Sequence, residues 1–213
     1  MSLEFVRELR DKTGAGLVDC QKALAEAGGD VDKALRVLRE KGLAKAAKKS
    51  GRAATDGAIG AYIHPGSKVG VLIEVNCETD FVAKTTEFQT LVKDLAMQVA
   101  AAAPRYVSRE DVPASEIESE RAIYRKQAEA SGKPPQVIER IVDGQVERFY
   151  KDVCLLEQAF IKQSDRTIGD LVKEAIVRFG VNVAVRRFAR YQLGEMQERS
   201  DGKEDAAGGT SGA

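Results

Sequence analysis

The run Val69-Gly70-Val71-Leu72-Ile73-Glu74-Val75 is rich in β-branched residues, and Phe88, Leu91, Val92, Leu95 and Val99 recur soon after at helical spacing. The first reads as a strand and the second as one face of a helix. The chain must therefore pass from strand to helix across Asn76-Cys77-Glu78-Thr79-Asp80-Phe81-Val82. A turn held by regular elements on both sides can present side chains outward for recognition. Two readings of it stand open on the residues alone. Thr79 or Asp80 caps the helix by accepting a backbone N–H while Phe81 packs at the helix start or in the core, or the acid and the ring stand out together as a wedge. A long helix is expected from the Thr79-Asp80 turn to about Ala103-Pro104.

Ahead of that strand, Ala58-Ile59-Gly60-Ala61-Tyr62-Ile63-His64 is a second apolar run, and Pro65-Gly66 lies between the two. Proline presets φ and glycine tolerates positive φ, so the pair predicts a β-hairpin with His64 at its tip. The first residues carry three short amphipathic stripes: Leu3, Val6 and Leu9; Leu17, Cys20, Leu24 and Ala27; and Val31, Ala34, Leu35 and Leu38. Thr13-Gly14-Ala15-Gly16 and Gly28-Gly29 separate them, Asp30 is the expected N-cap of the third helix, and Gly42 its expected C-cap. Lys41 to Arg52 then reads as a basic helical linker.

After the long helix, Pro113 to Ser131 and Pro135 to Cys154 predict a helical hairpin. Its facing residues are expected to be Ile117, Ile123 or Tyr124, Ala128, Val137, Ile141, Val146 and Phe149. Thr167 to Phe179 is a further helix, and Asn182 to Tyr191 a third strand. The fold class is therefore α+β: a three-helix unit at 1–53 that includes the basic linker, a core at 54–194 with the hairpin at about 113–154, and a disordered tail at 195–213.

The chain has 213 residues, with 33 basic and 33 acidic side chains and no Trp. Charge balance and the scarcity of aromatic rings argue against direct nucleic-acid binding. No apolar run approaches the ~20 residues of a membrane span, and no signal-peptide core opens the chain. Cys20, Cys77 and Cys154 form no CxxC pair, so a reducing, cytoplasmic location is expected. His64 is the lone histidine. With no phosphate loop, no HExxH and no acidic metal loop, neither a catalytic site, a metal site nor a cofactor is expected, and a binding protein is favoured over an enzyme.

Thr13-Gly14-Ala15-Gly16-Leu17-Val18-Asp19-Cys20-Gln21-Lys22-Ala23-Leu24 resembles the N-terminal signature of the elongation factor Ts family, and Asn76-Cys77-Glu78-Thr79-Asp80-Phe81-Val82-Ala83 resembles its second signature. Lys45-Ala46-Ala47-Lys48-Lys49, Ser131-Gly132-Lys133-Pro134 and Val185-Arg186-Arg187-Phe188 agree in the family's order, so the resemblance reaches about Gly194. It implies a ubiquitin-associated-like N-terminal domain, an α+β core with a small antiparallel sheet and projecting hairpin, and guanine nucleotide exchange on elongation factor Tu in translation. It implies that Thr79, Asp80, Phe81 and Val82 dislodge Mg²⁺ from the partner's nucleotide site, and that Arg10, Leu17 and Val18 dock on the partner, with His64 a further contact. Leu17 and Val18 are adjacent on a helix, so both cannot point into the core. Long members carry two core subdomains in tandem. This chain shows one, which implies a homodimer through the strand faces near Val183 to Tyr191. The alternative of another class is an adaptor whose three-helix module binds some other protein surface. It would give Asp80 and Phe81 no special role.

Overall fold

The computed structural model describes residues 3–13, 15–130, 132 and 134–195, leaving out the side chains of Leu43 and Lys45. Gly14 of the first turn, Ser131 and Lys133 of the hairpin turn, and the tail from Met196 onward, expected to be disordered, lie outside the described residues.

Helices α1 (Leu3–Thr13), α2 (Leu17–Glu26) and α3 (Val31–Lys49) follow the three apolar stripes. They close over a small core of Val6, Leu9, Cys20, Ala23, Leu24, Ala34 and Leu38. Gly28 and Gly29, both at positive φ, end α2, and Asp30 caps α3 by accepting from the Lys33 N–H at 3.0 Å. The expected stop at Gly42 does not occur. Alanine and lysine sustain the helix to Lys49, and glycine serves close packing instead: a Cβ at Gly42 would meet Val177 at 3.4 Å. The segment expected to be a solvated linker thus packs through its far half, with Ala46 buried in the main core.

That core lies under a three-stranded antiparallel sheet. Strands β1 (Asp56–Ile63) and β2 (Val69–Cys77) form the expected hairpin. A short helix α4 (Asp80–Ala83) and a long one, α5 (Thr86–Ala102), follow. The long helix was expected to run on from Thr79-Asp80, but Thr85 interrupts it, its hydroxyl accepting from the Phe88 N–H at 3.2 Å as a second N-cap. Ala103 in the left-handed region and Pro104 end α5. Phe88, Leu91, Val92, Leu95, Ala96 and Val99 of α5 pack on the alternate inward residues Val71, Ile73, Val75 and Cys77 of β2. At Gly60 the β1 backbone passes so close to α5 that a Cβ would lie 2.3 Å from a Val92 methyl.

The hairpin is α6 (Ala114–Glu129) and α7 (Pro135–Val153). The expected Ile141 packs beside a buried stripe on α7, while Val137 lies one residue off it: the stripe is Ile138, Val142, Val146, Phe149 and Val153. Steps of four, four, three and four keep those residues on one face, whereas Val137 and Ile123 are exposed. Arg121–Asp143 at 2.8 Å and Arg125–Glu139 at 3.0 Å tie the two helices together. At the root, Arg109 lies over the Tyr150 ring and bonds both Glu147 and Glu157. A two-stranded ribbon, β3 (Ala159–Phe160) and β4 (Gln163–Thr167), follows. It was not anticipated, being short and polar. Thr167, expected inside the next helix, is its cap: it and Asp170 form a capping box opening α8 (Ile168–Phe179). Strand β5 (Val183–Gln192) completes the sheet in the order β1-β2-β5. Among the described residues no helix is long and apolar enough to cross a membrane.

Gly60→Ala should destabilise the fold by about 1–3 kcal/mol through overpacking, and Val92→Ala in the same chain should recover part of it. Thermal unfolding of the parent and the two variants checks this. All three cysteines are buried and free, and burial pushes each thiol up, Cys154 to about 11. The folded chain therefore holds thiol protons that the unfolded chain, titrating near ~8.5, has released. Stability should fall as pH rises from about 8.5 toward 11. A thiol reagent at pH 8 should label none of the three until denaturant is added.

Candidate functional site

The segment joining β2 to α5 is clamped at nearly every residue except one. Thr79 is extended, and its hydroxyl accepts from the Val82 N–H at 3.5 Å, making it the cap of α4. The Cys77 thiol, buried beneath, donates to the Thr79 carbonyl at 3.1 Å. Glu78 accepts from the Asn182 backbone N–H at 2.6 Å. Thr85 donates to the Val82 carbonyl at 2.8 Å, and the Gln89 amide to the Ala83 carbonyl at 2.6 Å. Ala83 is buried, and Val82 packs against the main core.

Phe81 points away from the core, 81% exposed. Of the two readings left open by the residues, the cap holds for Thr79, and neither the helix-start packing nor the core role holds for Phe81. Asp80 sits beside the ring and pairs with Lys84 at 2.7 Å. The hydrogen bond from Lys84 holds its carboxyl below the usual range, so Asp80 is ionised at neutral pH. The turn thus offers an apolar ring and an adjacent anion on a fixed backbone. Covering a phenylalanine ring is worth about 1.5–3 kcal/mol, available to whatever surface receives it.

His64 stands at the opposite end of the hairpin, exposed, its Nδ1 3.1 Å from the Tyr62 hydroxyl. The length of β2 separates it from the turn by about 26 Å at ~3.3 Å per residue, so the two cannot touch one spot on a partner. Arg10 on α1 and Leu17 and Val18 on α2 flank the first inter-helix turn. Arg10 is exposed, and Leu17 and Val18 are 50% and 59% exposed, so both apolar side chains face outward where helical geometry required it of one. The site residues therefore form three separate displays: the bundle, the Phe81 turn and the hairpin tip.

Sequence reasoning missed most of what holds the turn. Thr85, three residues before Phe88, carried a legible cap signal. Gln89 and Asn182 carried none, because their roles depend on chain segments brought together only by folding. The polar concavity at the hairpin root, lined in part by Gln98, Asp152 and Gln158, lies elsewhere. Its amides are engaged with one another, Gln98 to Gln158 at 3.3 Å and Gln158 to the Asp152 carbonyl at 2.9 Å. Among the described residues no cluster of three or more His, Cys, Asp or Glu is arranged to hold a metal ion.

The family model described as Elongation factor TS matches residues 22–195. The chain is 55% identical over 202 residues to elongation factor Ts of Desulforamulus reducens, covering 94% of this chain and 93% of that one. It is 58% identical over 192 residues to elongation factor Ts of Carboxydothermus hydrogenoformans, covering 90% and 88%. To elongation factor Ts of a Geobacter species it is 60% identical over 190 residues, covering 89% and 88%. With its three-helix bundle, small antiparallel sheet, projecting hairpin and exposed Phe81 turn, the chain belongs to the elongation factor Ts family.

Proposed function

We propose that this chain is a guanine nucleotide exchange factor for elongation factor Tu, acting in the cytoplasm by binding alone, without a cofactor or a covalent step. The observation that carries the reading is Phe81, exposed on a turn whose backbone is otherwise clamped. The unit at 1–53 docks through Arg10, Leu17 and Val18 on the partner's nucleotide-binding domain, and the core at 54–194 brings the Thr79–Val82 turn to the nucleotide site. Mg²⁺ there bridges GDP and protein ligands in near-octahedral geometry, which tolerates little displacement. Phe81 wedges between partner helices, Asp80 competes for the groups around the ion, and Thr79 and Val82 hold the two in place. Factor and nucleotide then weaken each other's binding by the same factor, so GDP leaves and incoming GTP later expels the factor. His64 makes a separate contact at the far end of the hairpin. The adaptor alternative gives Phe81 and Asp80 nothing to do, and their display speaks against it.

The proposal extends to a homodimer. The outer face of the sheet carries Ile59, Ile63, Leu72 and Tyr191, all exposed. Register sets Ala61 and Ala189 on either side of Leu72, and Ile63 and Tyr191 on either side of Gly70, so the apolar side chains run across all three strands. A patch of this kind marks an association surface. Its occupant is a second copy of the chain, which would supply the second core unit that long family members carry in tandem.

Release of fluorescent GDP from elongation factor Tu, followed by stopped flow across a Mg²⁺ titration, tests the exchange reading. The parent should accelerate release, less so at high Mg²⁺. Phe81→Ala should lower the saturating rate by about ten- to a hundredfold, the kinetic equivalent of the ring's burial. Replacing Leu17 and Val18 together by Asp should instead raise the half-saturating concentration. No acceleration by the parent would give first place to the adaptor. For the dimer, sedimentation velocity should show twice the chain mass for the parent and a monomer for the Leu72→Glu/Tyr191→Glu variant. A monomeric parent at micromolar concentration would remove the dimer.

A further inference from the structure

The clamp on the Phe81 turn is also the place where the end of α3 meets the core. Asn182, 3% exposed, is the residue where three chain segments converge. Its backbone N–H donates to Glu78 at 2.6 Å, and its side-chain amide donates to the carbonyls of Arg52 at 2.7 Å and Ser50 at 3.2 Å. Arg52 returns to Glu78, with its guanidinium 3.7 Å from the second carboxylate oxygen. Beside this ring the Lys49 ammonium donates to the Gly180 carbonyl, and the Asn76 amide to the Ala54 carbonyl at 3.2 Å.

The chemistry at Asn182 is selective. Two backbone carbonyls converge on one nitrogen, and a primary amide supplies two N–H groups there without a charge. Aspartate would turn a carboxylate oxygen toward those carbonyls. The other amide atom, Oδ1, is buried with no partner among the described residues. A buried orphan acceptor is costly, so the residue is held there for its donors.

We propose that Glu78 and Asn182 are positioning residues that lock the Phe81 turn to the end of α3, fixing the wedge relative to the docking bundle. This rests on the exchange reading above. Docking through α1 and α2 places the partner, and the ring must then arrive at the nucleotide site within a narrow tolerance, because small misplacements of an acting group cost large factors in rate. Lys49, Ser50 and Arg52 end or follow the helix that carries the bundle, and Glu78 immediately precedes Thr79-Asp80-Phe81-Val82. The lock makes bundle and turn one lever.

The test compares the parent with Glu78→Ala, Glu78→Gln, Asn182→Ala, Phe81→Ala and the Glu78→Ala/Phe81→Ala double variant. Amide hydrogen exchange on the free protein comes first. Glu78→Ala removes the acceptor of the Asn182 backbone N–H and should speed exchange at residues 79–83 by about tenfold or more, the worth of a hydrogen bond to a charged group. Asn182→Ala keeps that N–H but frees the Ser50 and Arg52 carbonyls and should speed the same residues by a smaller factor, both leaving α1 and α2 unchanged. Glu78→Gln keeps an acceptor for the Asn182 N–H and should recover most of the protection. In GDP release, Glu78→Ala should lower the saturating rate by about tenfold at an unchanged half-saturating concentration, and should add nothing once Phe81 is alanine. Unchanged protection of residues 79–83 in both Glu78→Ala and Asn182→Ala overturns the lock, as does a Glu78→Ala rate loss that adds in full to that of Phe81→Ala. A parent that releases no GDP defeats the exchange reading instead, while the protection pattern still decides whether the lock exists.

Discussion

The packing of α5 across the inner face of β1 and β2 is the constraint on which the rest of the structure depends. Phe88, Leu91, Val92, Leu95 and Val99 cover Val71, Ile73 and Val75, and Phe88 meets Phe179 of α8 with ring centroids 6.0 Å apart. Gly60 lets β1 approach Val92 more closely than any side chain would allow. With the strand and the long helix fixed against each other, the few residues between them have a set span to cross. They do so through extended Thr79, one helical turn and extended Thr85. Phe81 falls on the outer side of that turn because Val82 and Ala83 take the inner side.

The same packing decides which side chains stay outside. One face of β2 is buried under α5, so Leu72 and the outward apolar residues of β1 and β5 form a second apolar surface that stays exposed among the described residues. The hairpin is held differently. Its two helices share a narrow apolar stripe backed by exposed arginine–carboxylate pairs, which add little stability individually. Arg109, engaging two glutamates and Tyr150 at the root, sets where the arm leaves the body.

The bundle is small, and α3 joins it to the larger core. By continuing through Gly42 to Lys49 it buries Ala46 beneath the sheet and brings Ser50 and Arg52 to Asn182. Arg10, Leu17 and Val18 and the exposed Phe81 ring thus belong to elements joined through one helix and one buried amide.

The periodicities of the sequence by themselves determined the three bundle helices, the β1–β2 hairpin, the paired helices α6 and α7 and the last strand, because local apolar spacing is enough to mark a face. The caps at Asp30 and the glycines after α2 were legible for the same reason: each acts on its immediate neighbours. Tertiary structure alone decided the rest. Gly42 carries the same helix-ending signal as any C-terminal glycine, and only the presence of Val177 makes it a contact point. Val137 and Ile138 are both apolar, and only the facing helix selects Ile138. The motif marked Asp80 and Phe81 as a pair, but a phenylalanine at a helix start packs inward or outward according to what lies beneath it, and Val82, Ala83, Glu78 and Asn182 turn this one out. Those partners come from segments up to 104 residues apart in the chain, a separation at which no local pattern can report a contact.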